Sequence, residues 1–477
     1  MAARRGPRDQ IVRRPRLREL QPVVVKATPR HTGPLNLFLS RPPLLFLLAL
    51  LAFTTAGTGL LILLVATASG DTAPFLTAFF TATSALTTTG LTVEITATYW
   101  SFFGQIVTLV LMFIGGLGFM AAVTFLLIAV RQQFLLTERV LVRGSLGFPS
   151  MDSLLPLVRR IMVLDLVVTG IGVVPLFWRF HHYLPWPEAL WQAVYTSVSA
   201  FNTAGFDIVG PASLVPYQQG PYILGTSILV ACAGALGYSG TLELLGRKRW
   251  NRLSVNTRLV IIVSVVAWVI GSLALLLFER SNPETLGTMS GPLAVMTAIF
   301  NGISGSTTTG FSTIDFGQVL PPMLLIMIIL MFIGGAAGST AGGTKVNTLS
   351  VLLVVAISSL KGRPRAQVFS RELPYHQVMQ AVAVWLMATF LIGLSILILL
   401  GDSRGISTMH IVFEAVSAFG TVGLSSGALT HLPASGLYVL IILMLVGRLG
   451  VLTLILAITA RSKAKLYGFA SEEVALG

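Results

Sequence analysis

Long apolar segments recur along almost the whole chain and are separated by short polar ones. They occupy residues 43–68, 102–130, 161–178, 222–245, 258–278, 323–357, 378–400 and 437–459. A helix needs about 20 apolar residues to cross the hydrocarbon core of a bilayer, and most of these segments have that length. The pattern predicts an all-α polytopic membrane protein with eight transmembrane spans.

A shorter apolar segment lies between the two spans of each consecutive pair. These segments cover residues 74–86, 187–201, 292–306 and 407–419. At about 13 to 15 residues they are too short to cross the bilayer. Pro74, Pro187 and Pro292 stand at or just before their first residues, where proline suits the start of a helix. We predict four re-entrant helices.

Each re-entrant segment ends in one shared motif, Ser-[Ala/Gly]-x-x-Thr-x-Gly-[Phe/Leu]. The four copies are SALTTTGL at 84–91, SAFNTAGF at 199–206, SGSTTTGF at 304–311 and SAFGTVGL at 417–424. A pair of glycines follows each copy at nearly constant distance: Gly115 and Gly118, Gly234 and Gly237, Gly335 and Gly338, Gly447 and Gly450. Two motifs in one register indicate four fused copies of a unit made of helix, re-entrant pore helix, filter loop and helix. Because each copy crosses twice, the copies are parallel and can surround one pseudo-fourfold pore.

These units divide the chain into six parts. The predicted boundaries are a basic cytoplasmic extension at 1–41, pore repeats at 42–130, 156–246, 257–360 and 377–460, and a cytoplasmic tail at 461–477. The third repeat contains an intramembrane gating loop at 334–344.

Composition and charge support a membrane protein and argue against a nucleic-acid partner. Hydrophobic residues make up 54% of the chain and charged residues only 10%, against about a quarter in soluble proteins. The net charge of +14 comes from Lys and Arg grouped at 1–41, 131–160, 247–258, 361–371 and 461–465. These groups fall on one side of the predicted membrane, which by the positive-inside rule is the cytoplasm. We therefore expect a multi-pass protein of the plasma membrane with both termini in the cytoplasm.

The repeated loops predict a filter for a dehydrated cation. Non-helical backbone at membrane depth is tolerated only where it is buried in protein or lines a watery cavity. Glycine allows successive carbonyls to point the same way, and a ring of carbonyls can replace the water shell of K⁺. The predicted filter residues are Thr87, Thr88, Thr89, Gly90, Asn202, Thr203, Ala204, Gly205, Thr307, Thr308, Thr309, Gly310, Gly420, Thr421, Val422 and Gly423.

The segment 323–357 is too long for one straight span, and its centre reads GGAAGSTAGGT. Glycine costs about 1 kcal/mol per residue inside a helix, so this centre predicts a break and a flexible loop below the filter. Small residues for close helix packing are the alternative. A phosphate-binding loop is disfavoured because Thr-Lys follows Gly343 where Lys-[Ser/Thr] is required. The predicted gating residues are Gly334, Gly335, Gly338, Ser339, Thr340, Gly342, Gly343, Lys345 and Arg448.

Charged residues inside spans are usually functional because burying them in a bilayer costs free energy. We expect Arg448 to face the cavity below the filter, hold the loop through its carbonyls and add a positive barrier. A salt bridge with Asp165 is the competing account. Glu414 is open to three interpretations: a proton relay, a vestibule carboxylate or a structural hydrogen bond.

Enzyme chemistry is not indicated. The six histidines show no metal-ligand spacing, the single Cys232 excludes a disulfide framework, and there is no nucleophile elbow or dinucleotide fingerprint. We predict a protein that is not an enzyme and has no metal site beyond that for a transported ion.

With its four single-glycine loops, the chain resembles the Ktr/Trk/HKT superfamily of K⁺ transporters, and within it the KtrB-type subunits, over about residues 42–477. It lacks the two further N-terminal spans of TrkH-type members, and it has Gly90 where one plant class has serine. The resemblance implies K⁺ uptake, one pore per protomer of a homodimer, a gate at 334–344, Na⁺ activation, and a cytosolic KtrA-type ring that binds ATP or ADP. A Na⁺-permeable or cotransporting relative and a non-conducting scaffold or receptor remain as alternatives.

Overall fold

The computed structural model describes residues 42–117 and 154–450, apart from 211–212, 247–248 and 403–404. The predicted extension at 1–41, the end of the first repeat including Gly118, the end of the fourth repeat and the tail at 461–477 lie outside the described residues. So do most of the basic groups at 131–160 and all of those at 461–465.

The described chain is almost entirely helical, as predicted. Its helices are α1 (Pro42–Ile62), α2 (Phe75–Leu86), α3 (Thr96–Tyr99), α4 (Phe102–Gly116), α5 (Leu154–Phe180), α6 (Trp186–Phe201), α7 (Pro221–Ala235), α8 (Tyr238–Gly246), α9 (Val255–Glu279), α10 (Gly291–Ser306), α11 (Pro321–Ile333), α12 (Val346–Leu360), α13 (Tyr375–Asp402), α14 (Thr408–Gly420) and α15 (Ala434–Leu449). One antiparallel hairpin, β1 (Gln367–Val368) with β2 (Arg371–Glu372), lies between α12 and α13.

Four units of one design follow each other along the chain. Each has a first long helix (α1, α5, α9, α13), a short helix (α2, α6, α10, α14) and a second long helix (α4, α7–α8, α11–α12, α15), which is broken in units 2 and 3. The short helices begin and end within one residue of the predicted re-entrant segments. Their N-caps are Pro74, Pro185, Ser290 and Ser407.

The four units close into a ring. Each short helix packs between the two long helices of its own unit. The second long helix of each unit also packs against the short helix of the next: α4 on α6, α7 on α10, α11 on α14, and α15 on α2. The last contact joins the fourth unit to the first, so the short helices meet around a common centre.

The long helices turn apolar side chains outward, whereas the C-terminal parts of the short helices are largely buried. Leu277 and Val174 keep 76% and 67% of their surface exposed, which suits contact with lipid. By contrast, the last turns of the short helices, from Thr81 to Leu86 in α2, for example, are buried throughout. The ring therefore has an apolar outside and encloses polar hydroxyl groups.

Span lengths differ in part from the prediction of eight continuous spans. In the described chain, three helices are long and apolar enough to cross a membrane: Arg159–Phe180, Val255–Glu279 and Tyr375–Asp402. The predicted span 161–178 is longer than expected, since α5 covers Leu154–Phe180. The remaining long helices are shorter because they are broken or reach an end of the described residues.

The second long helix of unit 2 corrects the sequence prediction. We expected one continuous span over 222–245, but α7 ends at Ala235 and the chain bends by 102° before its helical course resumes. The physical reason is Gly237, whose φ of 81° lies outside the helical region, followed by Tyr238, whose N–H donates to Gly338 O (3.1 Å) in unit 3. In unit 3 the helix ends at Ile333 and restarts at Val346, over the glycine-rich residues where the sequence predicts a break.

Candidate filter and gating site

All four short helices end in the same pair of backbone hydrogen bonds. In unit 1, the N–H of Thr89 donates to Ser84 O (2.8 Å) and that of Thr88 donates to Ala85 O (3.1 Å). The matching pairs are Ala204 to Ser199 (2.8 Å) and Thr203 to Ala200 (3.1 Å), Thr309 to Ser304 (2.9 Å) and Thr308 to Gly305 (3.3 Å), and Val422 to Ser417 (2.9 Å) and Thr421 to Ala418 (3.1 Å). This is the Schellman arrangement, in which the residue just past the helix adopts a left-handed conformation.

A threonine takes that left-handed position in every unit. The φ angles are 52° at Thr88, 49° at Thr203, 56° at Thr308 and 48° at Thr421. Glycine is usual at this position, and a β-branched residue there is strained. Strained backbone of this kind is retained mainly at functional sites, where the surroundings impose it. The sequence identified these threonines as a shared motif, but it did not reveal their conformation.

Two residues later, each loop has a glycine that touches the next unit. A Cβ atom on Gly205 would lie 2.7 Å from Thr309 O, and one on Gly90 would overlap Ala204 O. Likewise, a Cβ on Gly310 would overlap Val422 O, and one on Gly423 would overlap Thr89 O. The contacts therefore run from unit 1 to 2, 2 to 3, 3 to 4 and 4 to 1. The φ angles of these four glycines, 68° to 90°, are a second reason why only glycine fits.

The four filter loops, residues 87–90, 202–205, 307–310 and 420–423, thus form a closed ring of backbone around one centre. Their residues are buried, except for Gly423, which is half-buried. The short helices point their C-terminal ends, which carry partial negative charge, toward this ring. Backbone carbonyls arranged in this way can replace the hydration shell of a cation.

The second glycine pattern allows the second long helix to approach the short helix. A Cβ on Gly115, Gly234 or Gly447 would overlap the carbonyl oxygen of the last or near-last residue of the same unit's short helix. Those oxygens belong to Leu86, Phe201 and Phe419. Unit 3 differs. Gly335 lies in the break of its helix, and a Cβ there would meet the side chain of Ala341 and the carbonyl oxygen of Ala235 in unit 2.

The inner segment, residues 334–345, lies directly against the filter threonines. Thr340 Oγ1 donates to Phe201 O (3.0 Å), and Thr88 Oγ1 donates to Thr340 O (3.5 Å). Thr203 Oγ1 lies 3.4 Å from Thr340 Oγ1, and a Cβ on Gly342 would overlap Thr421 Oγ1. The segment therefore occupies the space beneath three of the four filter loops.

Both predicted cationic residues bind carbonyls of this region. The Arg448 guanidinium donates to Thr340 O in the inner segment and to Gly115 O in unit 1. The Lys345 ammonium donates to Ala341 O. The Asp165 carboxylate accepts from Thr169 Oγ1 (3.2 Å) within its own helix. One carbonyl bound by Arg448 thus belongs to the inner segment and the other to α4 of unit 1.

Sequence reasoning missed Tyr238. Its hydroxyl donates to Gly116 O (2.9 Å) in unit 1, while its N–H donates to Gly338 O in the inner segment. Ala336 N–H also donates to Ala235 O (2.9 Å), so the two broken helices hold each other. The available signal was the Gly234 and Gly237 pair, which matches the glycines at the break in unit 3.

On the other side of the filter, a cavity of about 370 Å³ is lined by the four loop glycines and the residues that follow them. Glu414 lies behind its wall, fully buried. Glu414 Oε1 accepts from Ser425 Oγ (2.7 Å), Ser426 N–H (2.8 Å) and Ser426 Oγ (3.1 Å). Of the three interpretations of Glu414, this geometry matches a structural hydrogen bond. Within the described residues, no group of three or more His, Cys, Asp or Glu could hold a metal ion.

The sequence profile of the TrkH family, described as a cation transport protein, matches residues 49–465. The chain belongs to this family. TrkH-family proteins are membrane ion transporters, which agrees with the prediction that this chain is not an enzyme.

Curated relatives and a solved structure support this placement. The chain is 30% identical to the Ktr system potassium uptake protein B of Bacillus subtilis, over 88% of this chain and 94% of that protein. It is 32% identical to the potassium/sodium uptake protein NtpJ of Enterococcus hirae, over 86% and 91%. The crystal structure of the potassium transporter TrkH from Vibrio parahaemolyticus superposes with a TM-score of 0.70 at 23% identity, covering 88% of this chain and 85% of that one. The likeness confirms the predicted polytopic pore fold.

Proposed function

We propose that this chain is the K⁺-conducting subunit of a Ktr-type uptake system in the plasma membrane, with both termini in the cytoplasm. The observation that carries the proposal is the closed ring of four loop glycines, each packed on a carbonyl of the next unit. A scaffold or receptor would not need four strained loops in one ring. The curated potassium uptake relatives support K⁺ as the transported ion.

In this proposal, the filter selects the ion through backbone carbonyls of Thr87 to Gly90, Asn202 to Gly205, Thr307 to Gly310 and Gly420 to Gly423. The left-handed threonines and the glycines fix the direction of the carbonyls before the ion arrives. A preorganised ring favours the ion whose lost water shell it replaces best. K⁺ then moves inward down its electrochemical gradient.

The inner segment is the proposed gate. It fills the space below the filter, and Arg448, Lys345 and the hydroxyl of Thr340 hold it there through hydrogen bonds. The two cationic groups also oppose cation passage in this closed position. Opening requires the segment to leave the filter threonines, which breaks those hydrogen bonds.

Regulation is proposed to come from a partner. The proposed assembly is a homodimer that works on a cytosolic KtrA-type ring, with ATP or ADP bound to that ring; relatives named as parts of a Ktr system support a partner subunit. Basic inner loops at 247–258 and 361–371 suit a docking surface. Na⁺ is proposed as an activator.

A second candidate is transport of Na⁺ as well as K⁺. The specific observation in its favour is the relative described as a potassium/sodium uptake protein, at 32% identity.

The test is growth at limiting K⁺ of a bacterium that lacks its own K⁺ uptake, with and without a KtrA-type partner. Gly310→Ser should reduce K⁺ uptake at least about tenfold, because a Cβ would meet Val422 O at a positive φ. Gly291→Ser, with open space around its Cβ in the same unit, is the matched control and should grow normally. Normal growth of both variants would contradict the filter. Na⁺ flux into liposomes without K⁺ flux would favour the second candidate.

A further inference from the structure

The residue two positions after each filter glycine faces the outer cavity. These residues are Thr92, Asp207, Ser312 and Ser425, and all four line the same cavity as the glycines. Three of them have a hydroxyl group and one has a carboxylate. The mouth of the filter is therefore surrounded by side-chain oxygens at equivalent positions of the four units, with one formal negative charge in unit 2.

We propose that this outer ring is a separate binding site for a monovalent cation, which receives K⁺ before it enters the filter, with Asp207 as the charged ligand. The inference rests on the proposed function and names residues outside the filter loops. The four oxygens and the water in the cavity would share the coordination of a partly hydrated ion.

Asp207 is held in place at the cavity edge. Its Oδ1 accepts from Val209 N–H (3.2 Å), and Gly210 and Ser213 also donate to the carboxylate. An ionised carboxylate can accept about four hydrogen bonds, so capacity remains for an ion. Its fixed orientation reduces the cost of ordering the ligand when the ion binds.

A second acidic residue, Glu414, belongs to the unit on the opposite side of the ring. Glu414 of unit 4 is fully buried; its Oε1 accepts from Ser425 Oγ, whereas its Oε2 has no hydrogen-bond partner. The equivalent position is neutral in the other units, with Thr81, Thr196 and Asn301. Acidic groups thus stand on opposite sides of the ring, in units 2 and 4. Through its hydrogen bond, Glu414 fixes the Ser425 hydroxyl at the mouth, and when ionised it adds to the negative potential there.

Protons should compete with the cation at Asp207. The side chain keeps some solvent-accessible surface, but surrounding protein raises its pKa to about 6. The titratable groups near it are the Tyr195 hydroxyl of α6, which interacts electrostatically with Asp207, and Asp315, which lines the same cavity. As the outer pH falls through about 6, Asp207 gains a proton and the ring loses its charge. The KM for K⁺ should then rise, while kcat changes less because the filter is intact.

The experiment measures K⁺ uptake against outer K⁺ concentration at about pH 8 and about pH 5.5. Asp207→Asn should raise KM about fivefold at the higher pH, with kcat within about twofold, because one charge near the ion is lost. It should also remove the rise of KM at the lower pH. Glu284→Gln is the control: Glu284 is an exposed acidic residue between α9 and α10 that is not among the described residues lining the cavity, and both KM and its pH dependence should stay close to those of the unmodified chain.

A binding measurement separates this inference from the proposed function. Tl⁺, a K⁺-sized ion, should protect the purified chain from thermal unfolding, and Asp207→Asn should need about fivefold more Tl⁺ for half the effect. Asp207→Glu, which keeps the charge, should need a Tl⁺ concentration between those of the unmodified chain and Asp207→Asn. This conservative variant distinguishes loss of the charge from simple misfolding. Unchanged KM, pH dependence and Tl⁺ midpoint in Asp207→Asn would overturn the outer site. Absence of K⁺ uptake by the unmodified chain with its partner would instead overturn the proposed function, and the Tl⁺ comparison would still decide the site.

Discussion

The filter loops and the inner segment touch each other, yet they are held by different interactions. Each filter loop is closed by the C-terminal hydrogen bonds of its own short helix, and the loops meet through glycine-to-carbonyl packing. The inner segment comes from unit 3 alone. It is held by polar groups of other units, among them Arg448, Tyr238 and the carbonyl of Phe201.

This difference agrees with the proposal of a rigid filter beside a movable gate. To displace a filter loop, the helix cap and the backbone packing of two units must change together. To displace the inner segment, only a small number of hydrogen bonds must break, each worth about 1 kcal/mol or somewhat more when charged. We therefore expect substitutions in the filter to reduce conduction and substitutions at the holding groups to increase leak.

The largest effect is expected from Gly423→Ala. A Cβ at this position would overlap Thr89 O, so the junction between units 4 and 1 must open. Uptake of K⁺ should fall at least about tenfold, because an overlap with backbone is relieved only by moving the ring. Initial rates in cells with the partner present provide the measurement.

Gly427→Ala separates that overlap from backbone strain. Gly427 also has a positive φ, 80°, but a Cβ there has open space. This control should retain most of the uptake rate. Equal losses in the two variants would mean that strain, and not contact between units, accounts for the requirement for glycine.

An intermediate effect is expected from Arg448→Gln. The substitution removes the charge and weakens the hydrogen bonds to Thr340 O and Gly115 O, so the closed position of the inner segment loses stability. Uptake without the partner should rise about tenfold, since hydrogen bonds of a charged group are worth roughly 1.5 to 3 kcal/mol. The leak of K⁺ into liposomes lacking the partner is the readout.

Arg365→Gln is the matched control for Arg448. Arg365 pairs with Glu372 on an exposed hairpin at 3.2 Å, where an ion pair contributes little. The K⁺ leak through the Arg365→Gln variant should equal that through the unmodified chain. If leak, uptake rate and K⁺ affinity were all unchanged in Arg448→Gln, Arg448 would have no part in gating.

The smallest effect is expected from Tyr238→Phe, which deletes one hydroxyl and keeps the ring. The lost hydrogen bond to Gly116 O should shift the closed-to-open equilibrium about fivefold toward opening. Leak without the partner should therefore rise, but less than in Arg448→Gln. Tyr438→Phe, on an exposed helix face, serves as the control. A decrease in leak would place Tyr238 among groups that hold the open position.

Much of this architecture could be predicted from the sequence because it is local. Hydrophobic length and a motif repeated four times predicted the units, and the shorter apolar segments, three of them with a proline at the start, predicted the short helices to within one residue. A run of glycines likewise predicted the break between Ile333 and Val346. In unit 2, two glycines were too few to distinguish a break from close packing, and the bend after Ala235 was missed.

What the sequence alone determined is the number of units, the ends of their short helices and the residues available for a filter, since these depend on propensities over a few neighbouring positions. Only the tertiary structure decided which carbonyl each filter-loop glycine meets. It also decided that Arg448 binds Thr340 and Gly115, and that Asp207 shares a ring with Thr92, Ser312 and Ser425. The physical reason is that these partners lie about 100 residues or more apart along the chain. Their contact depends on how four units close around one centre, which local periodicity does not encode.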